Sequence, residues 1–284
     1  MQLYLRPFAL DIVRLSIWLA ILIVIFIPLE RLFPLRPQKV FRKSILADVG
    51  YYFVNNLFPK LLLIVPIAIL AWFLHFLIPS GFHARVAALP MWTRVLGALI
   101  VGEIGFYWGH RWSHEIPFLW RFHSLHHSAE EMDWLVNTHA HPLDIVFTRM
   151  CGFVPMYVLG LAQAAVRTID PVTFLVLFIG TLWGFFIHAN VKWRFGPLEW
   201  LVATPAFHHW HHTYDGPINR NYAPLLPWMD VLFGTHYRQG RQWPERYGTE
   251  TAVASSMTGQ ILEPLMPNIR SKPVVSEQST AAMR

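Results

Sequence analysis

Two histidine-rich stretches of this chain, far apart in the sequence, share the spacing H-x-x-H-H. A shorter pair, H-x-x-x-H in "HRWSH", precedes them, and an isolated histidine lies between them in "IHAN". On an α-helix, side chains three and four positions apart lie on one face, so each stretch presents its imidazoles together. The histidines of these stretches are His110, His114, His123, His126, His127, His188, His208, His211 and His212.

Metal binding is the chemistry that best explains so many clustered imidazoles. A neutral imidazole offers a nitrogen lone pair to a metal, whereas burying the ring without a partner is unfavourable. Nine or ten histidine ligands are too many for one ion and about right for two. A histidine tag, a pH sensor or surface histidines are the alternatives, but these stretches are internal and lie among Trp, Phe and Leu. Imidazole suits Zn, Cu, Fe and Ni, so ligand counting leaves two zincs or two coppers open.

The composition indicates a membrane protein, because 54% of the residues are hydrophobic and only 14% are charged. A soluble domain has about 25% charged residues, and a membrane-spanning helix needs about 20 apolar residues. The predicted spans are 15–29, 57–79, 91–108, 151–166 and 172–187. The first is expected to be a retained helix rather than a cleaved signal peptide. The last two are short and could form a hairpin, so we predict an all-α integral membrane protein with four to five transmembrane helices.

Basic residues predict how these spans are oriented. The loop at 31–43 carries five basic residues, whereas the loop after the second span carries only Arg85, which places 31–43 in the cytoplasm. Counting forward, 110–144 and 188–284 lie on the same side and contain 13 of the 15 histidines. We therefore expect a multi-pass protein with a cytoplasmic helical cap that carries a His-rich dimetal site. The formal charge of +6 comes without a basic run, so no nucleic-acid partner is expected.

The order of the histidine boxes resembles a known family. H-x-x-x-H, H-x-x-H-H, a His-Pro and a second H-x-x-H-H, followed by "NYAPLLPWMDVLFGT", are similar to the fatty acid hydroxylase / sterol desaturase superfamily over about residues 95–240. The resemblance implies a membrane enzyme with two iron ions that uses O2 to hydroxylate or desaturate a membrane lipid, such as a sterol or a fatty acyl chain. It also implies that the nine histidines above, together with His141 of "HAHPLD", are metal ligands.

Three regions follow from these observations. Residues 1–94 are predicted to form N-terminal transmembrane helices, and residues 95–245 a catalytic domain of the fatty acid hydroxylase type. The last residues lose apolar periodicity and gain Ser, Pro and Thr, so 246–284 is predicted to be a largely disordered tail.

Two carboxylates are candidates for a catalytic role beside the ligands. Glu103 lies seven residues before His110 on the same helical face, and Asp144 follows His141 by three. Either could accept an N–H from a metal-bound imidazole and so fix its orientation. The alternatives are an interhelical hydrogen bond for Glu103 and a helix cap for Asp144, while Asp215 fits a turn better. We assign no ligand role to His75, His83, His139, His209 or His236.

The chain needs a partner if it performs O2 chemistry. Its single cysteine, Cys151, cannot hold an iron–sulfur cluster, and no G-x-G-x-x-G follows a predicted strand. A separate electron donor of the ferredoxin or cytochrome b5 type, with an NAD(P)H reductase, is therefore expected. The alternatives are a histidine-rich membrane metal transporter or metal-binding protein, and a catalytically inactive relative. Transporter ligands lie near the middle of the membrane, whereas these boxes lie at or beyond the ends of the predicted spans.

Overall fold

A computed structural model describes residues 2–79, 81–162, 170–237 and 240–266, and every regular element in these ranges is helical. The prediction of an all-α protein is confirmed for this part of the chain, which adds only two isolated β-bridges and three short 3-10 segments. In chain order the α-helices are α1 (Gln2–Leu32), α2 (Ile45–Leu77), α3 (Phe82–Ala87), α4 (Met91–Glu115), α5 (Pro117–His127), α6 (Pro142–Val158), α7 (Pro171–His188), α8 (Pro205–His211), α9 (Trp228–Leu232) and α10 (Met257–Leu262).

Four of the helices that surround the histidines begin at prolines. A proline in the first turn has no N–H to leave unpaired, and its fixed φ suits a helix, which explains the starts of α5, α6, α7 and α8. Capping side chains add to this: Asp170 accepts from the backbone N–H of Thr173 (3.0 Å) and Thr204 accepts from that of Phe207 (3.3 Å). The sequence therefore fixes locally where these four helices start.

The N-terminal helices pack against the segments that carry the histidines. Phe26 of α1, Tyr52 of α2 and Phe185 of α7 belong to one buried core. Trp134 stacks on Phe26 with 5.7 Å between the ring centroids, which places the 3-10 segment Trp134–Thr138 against α1. The site is thus supported by helices from both halves of the chain.

Close packing of α4 on α6 depends on glycine. A Cβ atom at Gly105 would lie 2.0 Å from the carbonyl oxygen of Cys151, so a side chain at Gly105 would push the helices apart. At Gly152, on the facing helix, an added Cβ would lie 2.4 Å from the ring of Phe106. This approach brings the C-terminal end of α4, with its two histidines, beside the N-terminal end of α6.

Among the residues that the structure describes, two helical stretches are long and apolar enough to cross a membrane, Phe8–Leu32 in α1 and Pro171–His188 in α7. Only 11% of the apolar window of the first and 22% of that of the second is buried against protein, so most of their residues are at least partly exposed. Such helices support the prediction of a membrane protein. The number of four to five spans stays a prediction.

The fourth predicted span, 151–166, is not one continuous helix. Instead, α6 begins earlier, at Pro142, and ends at Val158. Gly160 follows with a φ of +67°, the left-handed conformation that commonly ends a helix. Residues 163–169, which include most of the predicted "RTIDP" turn, lie outside the described residues.

Part of the predicted disordered tail is ordered. Residues 246–266 contain α10 and a 3-10 turn, while 267–284 lie outside the described part of the chain. Ser256 caps α10 by accepting from the N–H of Gly259 (3.1 Å), and Gln260 accepts from the hydroxyl of Tyr51 in α2 (2.8 Å). The polar composition suggested disorder because it does not reveal that Gln260 has a partner on another helix.

Candidate dimetal site

Nine of the ten histidines predicted as ligands come together in two adjoining groups. Within each group, one ring nitrogen per residue lies within 4.8 Å of the others. The five-histidine group contains His110, His114, His123, His127 and His211, and the four-histidine group contains His126, His188, His208 and His212. The rings of His127 and His212 stack with centroids 4.3 Å apart, so the two groups are in contact.

Each H-x-x-H-H stretch contributes to both groups, which explains why the chain uses it twice. α5 directs His126 to the four-histidine group and its other two histidines to the five-histidine group. The second stretch does the reverse, with His211 in the five-histidine group and the other two in the four-histidine group. Neighbouring helix positions point about 100° apart, so the adjacent histidines of each stretch separate between two sites.

Backbone carbonyl groups orient four of the rings. Each accepts a hydrogen bond from the Nδ1 atom of a histidine, and a carbonyl oxygen can only accept, so these rings carry their hydrogen on Nδ1. A neutral ring then has its lone pair on Nε2. The donor–acceptor pairs are His110 with Tyr222 (2.6 Å), His211 with Arg220 (2.8 Å), His126 with His139 (3.1 Å) and His188 with Gly184 (2.7 Å).

Side chains orient two further rings of the five-histidine group. His123 Nδ1 donates to Asp144 Oδ2 (3.0 Å), and His114 Nδ1 donates to Asn219 Oδ1 (3.1 Å). The other oxygen of Asp144 accepts from the hydroxyl of Ser113 (3.3 Å), and burial raises the pKa of this carboxyl to about 6. Asp144 thus contacts His123, where the sequence had suggested His141.

The unprotonated nitrogens face one another at distances that need a cation. His126 Nε2 lies 3.2 Å from His188 Nε2, although both rings carry their hydrogen on Nδ1. His114 Nε2 and His123 Nε2 lie 3.1 Å apart in the same way. Two lone pairs this close repel each other unless a proton or a metal ion lies between them. Burial, and then the neighbouring imidazoles, lowers the pKa of His114, His123 and His126 well below the usual range, which disfavours the proton.

Other ring nitrogens are buried without a partner among the described residues: His127 Nε2, His208 Nδ1, His211 Nε2 and His212 Nδ1. Such nitrogens are unfavourable unless a ligand satisfies them. Metal–nitrogen bonds of about 2.1 Å at right angles would place ligand nitrogens about 3 Å apart, close to the distances between the facing rings. Nine imidazoles without a thiolate therefore fit one transition-metal ion in each group.

His141 lies outside both groups, so the structure does not support its predicted role as a ligand. Its Nδ1 accepts from the N–H of Leu143 (3.1 Å) and caps α6, and its Nε2 donates to the carbonyl of Ile261 (3.0 Å). Both nitrogens are therefore occupied. The sequence could not reveal this, because the acceptor lies 120 residues further along the chain.

Glu103 holds backbone rather than an imidazole. Its Oε1 accepts from the N–H groups of Leu225 (2.8 Å) and Leu226 (2.7 Å). These bonds hold the segment before α9 against α4. Glu103 therefore makes structural hydrogen bonds, which were the alternative to a catalytic role. Asp215 pairs with Arg246 at the surface, as its position in a turn suggested.

The histidines that we did not assign as ligands lie outside both groups where the structure describes their side chains. His209 contacts the hydroxyl of Tyr247 (2.8 Å) and the carbonyl of Ala189 (3.1 Å), and His83 contacts the carbonyl of Val158 (3.1 Å). His236 stacks on Trp200, and His139 contacts Asp48 (2.5 Å). The side chain of His75 lies outside the described residues.

The sequence interpretation missed the loop 219–222, which supplies three acceptors to the five-histidine group. They are the side chain of Asn219 and the carbonyls of Arg220 and Tyr222. Asn219 and Asn221 have φ angles of 60° and 58°, a conformation that asparagine adopts more readily than most residues. Asp230 accepts from the N–H of Tyr222 (2.8 Å) and so fixes the loop. The Asn and Asp of "NYAPLLPWMD" are the signal that could have indicated this role.

A small cavity of about 80 Å³ reaches the five-histidine group. It is lined by His114, His127 and His211, by Trp120, Tyr214 and Ile218, and by polar residues that include Thr213, Asn219, Thr249 and Glu250. Trp108 and Trp112 line a separate apolar groove of about 780 Å³ along α4 and α6. The cavity gives a small part of a substrate access to three of the candidate ligands.

Comparison with known proteins identifies the family. The fatty acid hydroxylase family matches residues 95–235. The chain is 37% identical over 179 residues to ornithine lipid hydroxylase OlsE of Rhizobium tropici, which covers 62% of this chain and 51% of that protein. It is 33% identical over 135 residues to alkylglycerol monooxygenase of Homo sapiens, covering 47% of this chain and 28% of that protein. A very-long-chain aldehyde decarbonylase, GL1-11 of Oryza sativa subsp. indica, is 29% identical over 168 residues, or 56% of this chain and 60% of that protein.

These matches confirm the resemblance on which the ligand prediction depended. The chain spans about half of the length of the first of these relatives and less of the second. No solved structure matches the chain. The matched segment contains both H-x-x-H-H stretches and every histidine of the two groups. Through residues 95–235, the chain belongs to the fatty acid hydroxylase family.

Proposed function

We propose that this chain is a multi-pass membrane oxidoreductase that uses two iron ions and O2 to hydroxylate a C–H bond of a membrane lipid. The observation that carries the proposal is the pair of adjoining histidine groups whose unprotonated nitrogens face one another. The histidines are compatible with both hydroxylation and desaturation. The names of two relatives, a lipid hydroxylase and a monooxygenase, favour hydroxylation.

The five-histidine group would hold one ion and the four-histidine group the other. A redox-active pair of ions supplies, when bound, the O2 chemistry that imidazoles and carboxylates cannot perform. Iron suits imidazole ligands and changes its oxidation state, whereas zinc does not. This difference favours iron for an oxidation.

The protein's own residues orient the ligands and exclude water. Carbonyl groups, Asp144 and Asn219 fix six rings through Nδ1, so that Nε2 of each is free to bind a metal. Burial of the rings keeps water from competing for these nitrogens. The cavity beside His114, His127 and His211 would admit the reacting carbon of the lipid.

The reaction needs electrons from a second protein. Hydroxylation converts R–H, O2, two electrons and two protons into R–OH and water. The chain has one cysteine, too few for an iron–sulfur cluster of its own. A separate ferredoxin or cytochrome b5 type donor with an NAD(P)H reductase is the partner that we propose. The basic loop at 31–43 supports a cytoplasmic position for the histidine groups, where such a donor could reach them.

The test is metal analysis and turnover of the purified full-length chain in detergent. We expect two iron ions per chain, one for each histidine group, and one atom of labelled oxygen from O2 in the hydroxylated lipid. A variant with His114→Ala and His126→Ala removes one ligand from each group and should lose both properties. His83→Ala, a change at a histidine outside the groups, is the matched control. Metal flux into proteoliposomes without incorporation of oxygen would contradict the proposal and favour a transporter.

A further inference from the structure

A cluster of buried charges lies outside both histidine groups, at the start of α2. Arg42 donates to Asp133 from Nε (2.5 Å) and Nη2 (2.8 Å), and its Nη2 also lies 2.6 Å from Asp48 Oδ2. The other oxygen of Asp48 accepts from His139 Nδ1 at 2.5 Å. All four residues of this cluster are at most 5% exposed.

Both ring nitrogens of His139 have polar partners. Nδ1 lies 2.5 Å from Asp48 Oδ1, and Nε2 lies 3.3 Å from the hydroxyl of Ser128. Because a buried ion pair adds little net stability compared with apolar residues, the main consequence of the cluster is the position in which it holds His139.

The segment held in this way contacts the four-histidine group directly. The carbonyl of His139 accepts from Nδ1 of His126 (3.1 Å), and this bond turns His126 Nε2 towards the group. α2 also holds the two residues beside it, since Asn55 Nδ2 donates to the carbonyls of Thr138 (3.0 Å) and Ala140 (2.8 Å). Three consecutive residues, 138–140, are therefore fixed by one helix.

This helix lies outside the segment that matches the family, which begins at residue 95. We propose that Asp48 and Asn55 of α2 are positioning residues for the four-histidine group, which they control through the backbone carbonyl of His139. The inference rests on the proposed function, because it assumes that this group binds a metal ion. It means that the N-terminal region helps to build the metal site besides serving as a membrane anchor.

The experiment compares the full-length chain with Asp48→Asn after loading with ⁵⁷Fe(II). We expect metal binding in the four-histidine group to weaken by about ten-fold, as for other residues that orient ligands. The iron content should fall from two ions per chain towards one, and the Mössbauer signal of one ion should change while the other stays the same. A purely structural role would lower stability without selecting one of the two signals.

Two further variants keep this test decisive. Asn55→Ala removes two bonds to the same segment without changing the charge, so it should shift the same signal even if Asp48→Asn does not fold. Tyr52→Phe removes a hydroxyl bond between the same helix and the carbonyl of Leu15, and should leave both signals unchanged. If the wild-type chain binds two ions, and folded Asp48→Asn and Asn55→Ala give the same Mössbauer spectrum as wild type, this inference is wrong. A wild-type chain that binds no iron would overturn the proposed function as well.

Discussion

The five-histidine group and the four-histidine group use the same side chain in different surroundings. Four of the five rings of the first are held by the loop 219–222 and by Asp144, and three of the five line the cavity. Two of the four rings of the second are held by the carbonyls of Gly184 and His139, and none of the four is among the residues that line that cavity. The contact with the cavity, rather than the exposed fraction, distinguishes the groups, because His114, His127 and His211 are 2% to 4% exposed and the histidines of the second group are 1% to 8% exposed.

This difference teaches that ligand type alone does not assign a role to a metal site. The five-histidine group can meet a substrate, because its rings form part of a cavity wall. The four-histidine group is enclosed by helices and receives its orientation from backbone. We therefore expect changes in the first group to act mainly on turnover, and changes in the second to act on turnover and on folding together.

The largest expected effect comes from removing one ligand of each group in turn. His126→Ala and His211→Ala should each lower O2-dependent turnover by about 100-fold or more, and each should lower the metal content. They should differ in stability. His126→Ala leaves the buried carbonyl of His139 without its donor, which costs about 1–3 kcal/mol, whereas His211→Ala releases the carbonyl of Arg220, whose bond is only partly buried. Turnover assays, metal analysis and thermal unfolding measure the three quantities.

His83→Ala is the control for this pair, because His83 lies outside both groups and should keep full turnover and metal content. Equal losses of stability in the two ligand variants would break the distinction between an accessible and an enclosed group. Normal turnover in either variant would remove that residue from the proposed metal site.

A smaller effect is expected from Asp144→Asn, which tests the side-chain support of the five-histidine group. Asparagine keeps an oxygen that accepts from His123 Nδ1 but loses the negative charge that makes the imidazole a stronger ligand. We expect metal affinity of this group to fall about ten-fold while the unfolding temperature changes little. Metal titration measures the affinity, and Asp170→Asn, at the cap of α7, is the control. An unchanged affinity would show that the charge of Asp144 does not strengthen the ligand.

The sequence was sufficient to predict the nine clustered histidines, because residues three and four apart share a helix face whatever the fold. It could not predict which histidine joins which group. That depends on how α5 and α8 face each other, and the adjacent pair His126 and His127 is divided between the groups. The spacing of the histidines can predict a metal site, whereas the packing of the helices decides how the histidines divide into two groups.

Contacts to the backbone explain most of the differences between the predicted and the observed positions of these side chains. His141 follows the pattern of a ligand in sequence, yet it caps α6 and donates to a carbonyl near the C-terminal end of the described chain. Glu103 lies on the predicted face but accepts from backbone N–H groups. The acceptors in the loop 219–222 and at His139 are mostly carbonyl groups, which every residue has, so residue type gives no sign of them.

The smallest expected effect concerns the cavity. Glu250 lines it at an exposed position, and a carboxylate there would favour a substrate whose headgroup is positively charged. Glu250→Gln should raise the KM for a lipid with an ammonium headgroup by a factor of about two to five, the effect of one exposed ion pair. Because Glu250 is in neither histidine group, kcat and the metal content should not change.

Kinetics at low and high salt separate this effect from a change in shape. A screened charge loses its influence as the ionic strength rises, so wild type and Glu250→Gln should have similar KM values at high salt and different ones at low salt. A difference that persists at high salt would mean that the side chain shapes the cavity. A fall in metal content would mean that a change in the cavity wall also changes the five-histidine group. The distinction between an accessible and an enclosed group could then not be based on this cavity.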